Sequence, residues 1–437
     1  MNALRTIVVI ALRNLVANKK RSGLLGAAIA LVTTLLVVLA SVSNGMQETM
    51  LTVATTMASG HVNVAGFYKV TLDDVAPLIT DYPELVDVVQ AEQGRLGVDA
   101  FVVRGRGFGK LVTEFGSQTS VIAGIDIASE HGLRETVTPV AGSLDDLARD
   151  GTMLLFESQA KRLGVKVGDA VTIAAATSSG VQNTVDAEVA AIARDMGMMS
   201  SFNAFLHHRT LQELYLLKPR NTGAIHLFLA DAERADAVAD ALRSTLRARG
   251  YEVMEPAERP FWMKMQDVER EDWTGQRIDV TTWTDEMQFM RNVLRTFDLV
   301  TSVLVSILLV IVVLGVMNTL WMAIRERTQE VGTMRAIGMP QRAVLAMFMI
   351  EAFVLSVSAT LLGALLAAGV AAMVDAAGIP LNESVRMFLM SENLRLIVDL
   401  PTALTAIVTI ATVTTLGALF PAWRAARLPP VTAMQHA

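Results

Sequence analysis

The chain has 437 residues, of which 52% are hydrophobic and none is cysteine, and its formal net charge is −6. A mean hydropathy of +0.44 is above that of a soluble domain, so apolar segments must lie in a membrane. The lack of cysteine excludes disulfides, and the acidic balance excludes nucleic acid as a partner, because no basic patch lies outside the segments that flank the apolar windows.

Four uncharged windows of 23 to 26 residues predict four transmembrane helices, since about 20 residues cross the hydrocarbon core. The first window has an apolar core about twice as long as that of a signal peptide, which favours an uncleaved anchor. The windows are residues 22–47, 299–324, 352–374 and 400–423. We extend the third span to residues 343–374, and a short extracytoplasmic loop follows at 375–399.

The distribution of basic residues predicts the orientation of these spans. Residues 1–22, 322–343 and 423–437 carry five, four and two Lys or Arg, against two acidic residues in all. By the positive-inside rule these pieces face the cytoplasm, so that an amphipathic N-terminus (1–21), the segment 325–342 and the C-terminus (424–437) are cytoplasmic. The long segment between spans one and two is then translocated whole.

That segment, residues 48–272, is predicted to be a large α+β domain inserted between transmembrane helices 1 and 2. Short β-like runs alternate with short helices between residues 59 and 251. Residues 157–164 predict a helix with a glycine stop that turns into a strand, and residues 224–255 predict a βαβ-type unit. The fold class is therefore a membrane protein with four helices and an α+β domain carried on helical stalks.

Two apolar stripes at helical spacing predict the stalks. One follows the first span, and the other lies on a helix expected over residues 273–298. One alternative is that the stripes pack on each other or on the domain. The other is that they line a cleft for apolar cargo, because the flexible methionine side chain adapts to varied apolar surfaces. In a dimer such a cleft opens toward the outer leaflet, and its lining residues are Met46, Met50, Val53, Met57, Trp283, Met287, Met290 and Phe297.

A charged segment, "RERTQEVGTMRAIGMPQR" (325–342), separates spans two and three. It predicts a short cytoplasmic helix that Gly338 and Pro340 end. Its apolar residues Val331, Met334 and Ile337 are expected to bury in a partner's groove, while its arginines pair with acids or lipid phosphates. The alternative is an ordinary membrane-surface loop. Glu351, near the cytoplasmic edge of span three, either pairs with an arginine of this segment or is a headgroup-level carboxylate.

Residues 193–215 contain an unusually apolar run for a loop, with Met198, Met199, Phe202 and Phe205. We expect either a contact for cargo or a periplasmic partner, or a buried crossover. His207 and His208 lack further ligands at suitable spacing, so no metal is expected, and there is no catalytic constellation. The string "GRGFGK" lacks the spacing of a phosphate loop, so this chain is not expected to bind ATP and Mg²⁺, and no cofactor is expected on it.

Three stretches resemble the MacB/FtsX/LolCE-type permeases of ABC transporters. "NTLWMAIRERTQEVGTMRAIGMPQRAVLAMFMIEAFVL" is similar to the coupling region and third span of that family, "LLFESQAKRLGVKVGDAVTI" to its periplasmic domain, and "FPAWRAARLPPVTAMQHA" to its C-terminal end. "VSNGMQETML…GHVNVAG" and "TTWTDEMQFMRNVL" resemble the stalks of the lipoprotein-releasing LolC/LolE branch.

The resemblance implies a non-catalytic half-transporter permease of the inner membrane, with its large domain in the periplasm. Such a permease dimerises with itself or a related chain, docks two ATPase subunits through a coupling helix, and transmits ATP-driven motion to the periplasmic domain, a process called mechanotransmission. The residues implied in coupling are Arg325, Glu326, Arg327, Glu330, Val331, Met334, Arg335, Gly338 and Glu351.

Three functions remain open at this point. The first is extraction or export of a lipophilic substrate, a lipoprotein or lipid, with a periplasmic chaperone or adaptor as a further partner. The second is an FtsX-type signalling permease that transports nothing. The third is a MacB-like efflux pump for peptides or small molecules that works with an adaptor. The size of the domain and its apolar stalks favour the first.

Overall fold

The computed structural model describes Arg13 and residues 19–72, 74–177 and 180–427. The chain divides into two compact units. We call the first, which comprises residues up to 47, 294–380 and 393 onward, the helical unit. The second, residues 48–293 and 381–392, is the sheet unit. Most of the predicted termini, 1–21 and 424–437, lie outside the described residues.

In chain order, the described residues form helices and strands as follows. Helix α1 (Lys19–Ala54) continues as one π-helical turn (Thr55–Ser59) into β1 (Val62–Lys69), β2 (Val75–Ala76), α2 (Tyr82–Leu96), β3 (Val98–Val112), β4 (Ser117–Ile125), α3 (His131–Thr136) and β5 (Pro139–Gly142). Next come β6 (Thr152–Phe156), α4 (Glu157–Leu163), β7 (Ala170–Ala176), β8 (Gln182–Ala193), α5 (Gly197–Phe202), β9 (Asn203–His207), α6 (His208–Tyr215), β10 (Ala224–Leu229) and α7 (Ala235–Ala248). The remainder is α8 (Met265–Arg270), β11 (Gly275–Thr282), α9 (Trp283–Glu286), α10 (Gln288–Glu326), α11 (Thr328–Ala336), α12 (Gln341–Ala377), α13 (Glu383–Leu389) and α14 (Leu400–Ala426).

Four of these helices, α1, α10, α12 and α14, are long and apolar enough to cross a membrane. Each contains one of the predicted spans, so the four-helix prediction is confirmed. Their mutual packing buries a core that includes Ile29, Val37, Val316, Ile410 and Ala418. Many of their other apolar side chains are exposed, as expected where lipid rather than protein covers a helix.

The sheet unit consists of two parts that share one strand. The first half of β3 pairs with β10 in the order β11-β1-β10-β3, and helices α2 and α7 cover one face of this sheet with a core of Leu85, Val88, Leu242 and Leu246. The second half of β3 starts a ring of six strands, β3-β4-β9-β6-β8-β7, that closes because β7 pairs with both β8 and β3. We call the ring the barrel; it encloses a second core. The α+β prediction is confirmed.

The stalk helix predicted over residues 273–298 is wrong in its first part. Residues 275–282 form β11, which pairs antiparallel with all eight residues of β1. Within β11 the apolar Ile278 and Val280 alternate with polar residues, and both are buried, so a two-residue period positions them on the core face. A helix would have lost the pairing along β1. The long helix α10 begins only at Gln288.

Two smaller predictions also change. The 224–255 unit contains β10 and α7, but its second strand is reduced to an isolated parallel bridge between Val253 and Ile278. The segment 375–399 is more than a short loop, because it includes α13, and residues 381–392 belong to the sheet unit.

Candidate functional site

The charged segment between the second and third candidate spans forms the predicted short helix. Helix α10 ends at Glu326, and Arg327 separates it from α11 as the N-cap residue. Arg327 Nη1 lies 3.3 Å from Glu351 Oε2, and the two side chains are only 9% and 8% exposed. This is the pair between Glu351 and an arginine of the segment that the sequence suggests. It joins α11 to α12.

One face of α11 is buried within the chain itself. Val331 packs into a cluster with Ile324, Val344 and Phe348, and Met334 lies against the same cluster. Arg335 Nη1 donates a hydrogen bond of 3.2 Å to the carbonyl oxygen of Ala426 in α14. The expectation that Val331 enters a partner's groove is therefore wrong, because its own helical bundle already buries it, and Met334 is partly buried against the same cluster.

The opposite face of the segment is exposed and carries a different apolar residue. Arg325, Glu326, Glu330 and Gly338 are exposed, and Ile337 is 83% exposed. Glu330 of α11 and its C-cap residue Ile337 are seven residues apart, about two helical turns, so they lie on the same side of the segment. Gly338 has a φ of +106°, a conformation that favours glycine and ends the helix. This face, which we call the coupling face, is the part of the segment that a partner can contact.

The predicted cleft residues are mostly buried. Met50, Val53, Met57, Met287 and Met290, which belong to the sheet unit, are all buried. Trp283 is half-buried and packs on the core beneath α2 and α7. Five of these six side chains are buried and Trp283 is half-buried, so they do not line an open cleft in this conformation. Of the other two, Met46 is half-buried and Phe297 is exposed.

The end of α1 is held by buried polar groups that the sequence analysis missed. Arg104 Nε and Nη2 each lie 2.7 Å from a carboxylate oxygen of Glu130, while Arg104 Nη1 donates to the carbonyl of Thr56 at 2.8 Å. His226 Nδ1 lies 2.8 Å from the carbonyl of Ser59. Thr56 and Ser59 belong to the π-helical turn, whose carbonyls lack regular helical partners. We call this group the α1 grip.

The same sheet face also receives the chain that leads to α10. The backbone N–H of Trp283 donates to the carbonyl of His61 at 3.0 Å, and Thr281 Oγ1 donates to Glu286 Oε1 at 2.7 Å. Burial raises the pKa of the Glu286 carboxyl, while the Arg106 guanidinium acts in the opposite direction. Thus the chain leaving α1 and the chain entering α10 are fixed to adjacent strands, β1 and β11.

The sequence contained a signal for the grip. In "VVRGRGFGK" the arginines at 104 and 106 alternate with glycines inside a run that continues an apolar strand. Charges on alternate positions share one face of a strand, and a charged face next to buried strands requires partners. The sequence does not show that the partners of Arg104 are Glu130, 26 residues away, and a backbone carbonyl of the π-helical turn after α1.

The four residues predicted to contact a periplasmic partner do not act as one surface. Phe205 lies in β9, is fully buried, and contacts Phe156 edge-on with ring centroids 6.4 Å apart. It cannot contact a partner, and that prediction is wrong. Met198 and Met199 are half-buried in α5, and Phe202 at the end of α5 is exposed.

The two adjacent histidines contact an aspartate and each other. His207 Nδ1 lies 2.8 Å from Asp150 Oδ1, and the His207 and His208 rings contact each other with centroids 4.4 Å apart. Burial lowers the pKa of His208. Among residues 19–72, 74–177 and 180–427, no three His, Asp or Glu side chains are grouped closely enough to hold a metal ion.

Comparison with known proteins gives matches to two family models. The MacB-like periplasmic core domain matches residues 22–245, and the FtsX-like permease C-terminal matches residues 302–430. A macrolide export ATP-binding/permease protein MacB of Bdellovibrio bacteriovorus is 31% identical over 101 residues, 23% of this chain and 16% of that protein. The ABC transporter permease YtrF of Bacillus subtilis is 30% identical over 119 residues, 27% of each chain.

These matches span only 16% and 27% of the length of the two curated relatives. Among solved structures, the periplasmic region of MacB from Actinobacillus actinomycetemcomitans aligns over 55% of this chain and 96% of its own, with 13% identity and a TM-score of 0.31. A TM-score this low gives no basis for transferring details of the fold.

Proposed function

Because the chain belongs to the family of FtsX-like ABC transporter permeases with a MacB-like periplasmic core domain, we propose that it is the membrane subunit of an inner-membrane ABC transporter whose ATP is hydrolysed by separate subunits. Two ATPase subunits dock on the coupling faces of a permease dimer, formed with a second copy or a related chain. Their motion passes through the helices to the periplasmic domain. This chain holds no ATP or Mg²⁺ itself.

The observation that carries this proposal is the construction of α11. Its inner face is fixed to the bundle by Val331, by the Arg327–Glu351 pair and by the bond from Arg335 to α14. Its outer face is charged, with the exposed Ile337 at its end. Because three other helices hold α11, a partner that displaces its exposed side also displaces the bundle. An ordinary surface loop needs no such fixation.

The test of docking is Ile337→Asp in the complex purified from native membranes. A carboxylate buried at the interface loses its hydration without gaining a partner, so we expect at least a tenfold loss of co-purified ATPase subunit and of ATP hydrolysis per permease. Phe115→Asp is the control, since Phe115 is also exposed but lies in the sheet unit. Full association of the ATPase with the Ile337→Asp variant would show that the coupling face is not the docking site.

For the cargo, we propose a lipoprotein or lipid drawn from the outer leaflet. The support is the resemblance of the stalk stretches to the lipoprotein-releasing branch, together with the exposed Phe297 near the start of the second span. A photo-crosslinker at Phe297 should trap acylated protein or lipid in the nucleotide-free state and much less with ATP bound. A crosslinker at Phe115 is the control. Adducts independent of nucleotide would contradict the cargo proposal.

A second candidate is efflux of a small molecule. It rests on the relatives that are named macrolide export proteins, which share 31% identity with the chain over 101 residues in one case. Stimulation of ATP hydrolysis separates the candidates, because acylated peptides should stimulate a lipoprotein extractor and macrolides an efflux pump. Stimulation by neither, combined with activation of a periplasmic hydrolase, would favour the signalling alternative.

A further inference from the structure

The sheet unit contains a cavity beside the place where β3 passes from the sheet into the barrel. Its volume is about 280 Å³, and its lining residues come from segments 101–105 of β3, 126–129 after β4, 208–212 of α6 and 217–222 after α6, together with Tyr82. We call it the β3 cavity. An apolar cavity of about 150 Å³ holds one benzene molecule, so the β3 cavity has room for a molecule roughly twice that size.

Hydrogen bonds and close packing hold the walls of the β3 cavity in place. Ile79 and Thr222 exchange backbone hydrogen bonds of 2.8 and 3.0 Å, and Thr222 Oγ1 donates to the carbonyl of Arg104 at 3.1 Å. Gly105 lets α6 approach β3 closely, because a Cβ at this position would collide with the side chain of Leu211. The cavity is therefore a fixed part of the fold, and a ligand that binds there need not order its walls.

The rim of the cavity carries a carboxylate that has no basic partner. Asp126 and Ser129 are exposed, and Ser129 Oγ donates to the backbone carbonyl of Asp126 at 2.8 Å. Asp126 Oδ1 accepts the N–H of Ala128 at 3.1 Å. In the part of the chain that the structure describes, no lysine, arginine or histidine forms an ion pair with Asp126, so a ligand can use its negative charge.

The remaining lining adds no charge that would offset Asp126. The lining residues that the structure describes include neither lysine nor arginine. Arg209 and Arg220, which adjoin the lining in the sequence, each pair with an aspartate outside it. Burial, followed by the neighbouring His207, lowers the pKa of the lining residue His208, although Asp126 acts in the opposite direction. His208 is therefore neutral at pH 7, and the cavity favours a cation over an anion.

A group of apolar side chains forms the second feature of the lining. Phe101, Val103 and Leu217 are partly buried and Leu211 is buried, whereas Asp126 on the rim is exposed. An aromatic or branched aliphatic group placed against these four side chains is removed from water, which is favourable. A ligand that carries such a group and one positive charge therefore matches both features. Apolar walls with a few polar groups that fix orientation are typical of small-molecule sites.

We propose that the β3 cavity binds a hydrophobic primary amine, either a small molecule or the free N-terminus of a peptide that begins with an aromatic residue. The ammonium group pairs with the carboxylate of Asp126, and the apolar group lies against Phe101, Val103 and Leu211. Every lining residue belongs to the sheet unit. The inference therefore goes beyond the proposed function and depends neither on the docking of an ATPase nor on the identity of the cargo.

The absence of cysteine makes each introduced thiol unique. Ser129→Cys and, separately, Asn221→Cys place a thiol in the lining, and Phe115→Cys, exposed outside the lining, is the control. The full chain is reconstituted in phosphatidylcholine nanodiscs, and the rate at which a neutral methanethiosulfonate modifies each thiol is measured with and without tryptamine. We expect saturating tryptamine to slow the reaction at both lining positions at least threefold and to leave the control rate unchanged, because an occupied cavity excludes the reagent.

Two comparisons test whether the charge is recognised. Tryptophol has the same indole ring as tryptamine but a hydroxyl in place of the amine, so it should give little protection. Asp126→Asn, introduced into each of the two lining-thiol variants, should raise the dissociation constant of tryptamine at least fivefold. The asparagine retains an oxygen that can accept the N–H of Ala128 but lacks the negative charge.

Phenylalanyl-alanine amide and its N-acetylated form distinguish the two sources of the amine. Protection by the free dipeptide and not by the acetylated form supports a peptide N-terminus, whereas protection by tryptamine alone supports a small molecule. Equal protection by tryptamine and tryptophol, or protection by neither, overturns the proposal. Unchanged affinity for tryptamine in Asp126→Asn, or equal protection of the thiol in Phe115→Cys, overturns it as well.

Discussion

At the scale of single residues, the Arg327–Glu351 pair links the N-terminus of α11 to α12, the third candidate span. Glu351→Gln removes the negative charge and leaves a buried arginine without its ionic partner, which costs about 3–5 kcal/mol in comparable buried pairs. We expect the variant to assemble with the ATPase, with a lowered melting temperature and with less cargo moved per ATP hydrolysed.

The double variant Arg327→Met/Glu351→Met distinguishes stability from coupling. Replacement of both charges by apolar side chains of similar length avoids an unpaired buried charge, so the melting temperature should recover. If transport recovers with it, the pair acts only by stabilising the bundle. Wild-type transport by Glu351→Gln alone would contradict the coupling role.

His226, in the α1 grip, makes the stability of the sheet unit depend on pH. Burial and, secondarily, the Arg106 and Arg104 guanidiniums lower the pKa of His226 well below its ordinary value of 6.5. As the pH falls below 6.5, His226 binds a proton in the unfolded chain but remains neutral in the folded chain. The free energy of unfolding therefore decreases. The limit is about 1.4 kcal/mol per pH unit for one histidine.

We therefore expect a melting temperature that falls as the pH is lowered from 7.5 to 5.5, and a shallower fall in His226→Gln. Some slope should persist in the variant, because burial also lowers the pKa of His61. Asp279 and Glu286, whose pKa values burial raises, act in the opposite direction and at lower pH. An identical slope in wild type and variant would show that His226 titrates normally in the folded protein.

At the scale of helices and strands, Gly197 determines whether α13 can pack on α5. Gly197→Ala places a non-glycine residue in the left-handed region and brings its Cβ against α13. The control is Gly250→Ala, which has a φ of +88° but no atom within 4 Å of the added Cβ, so it carries only the cost of the backbone conformation. We expect Gly197→Ala to lose about 1–3 kcal/mol more than the control, with faster proteolysis at residues 381–392, as thermal unfolding and limited digestion would show.

Prediction from sequence succeeded where the pattern was long and failed where a distant partner decided the structure. The spans were readable because more than twenty uncharged residues have few alternatives. The strand at 275–282 was missed because its period-two pattern has only two buried apolar residues, Ile278 and Val280, and its identity depends on β1, more than 200 residues earlier. The stripes around Met50 and Met287 showed an apolar face correctly, but a stripe cannot reveal what covers it.

The longest strand, β3, was not predicted at all. Glycines at 105, 107 and 109 are poor strand formers, and the arginines at 104 and 106 interrupt the apolar run. Similarly, the segment 325–342 was predicted to be helical, yet Val331, which was expected to enter a partner's groove, is buried within the helical unit, whereas Ile337 is exposed, as that expectation requires. A nine-residue helix with few apolar residues gives no clear face from its sequence, and the surrounding helices determine it.

At the scale of the whole molecule, the charge distribution predicts which side of the membrane each part occupies. In spheroplasts that carry single-cysteine variants, a membrane-impermeant maleimide should label Phe115→Cys in intact cells and Ile337→Cys only after permeabilisation. Both side chains are highly exposed, so accessibility within the protein does not limit the reaction. Labelling of Ile337→Cys in intact spheroplasts would reverse the topology and with it the assignment of the coupling face.

Strand β3 has a mechanical consequence for the domain that the spans carry. Its first half is hydrogen-bonded to β10, in the sheet that also contains β1 and β11. Its second half is one of the six strands of the barrel. A Cβ at Gly105 or Gly107 would collide with α6, where Tyr215 Oη is bonded to the N–H and the carbonyl of Phe108 at 2.8 and 2.7 Å. Under the proposed mechanism, a force applied at β1 and β11 would be transmitted along one continuous strand, so we expect the sheet and the barrel to move together.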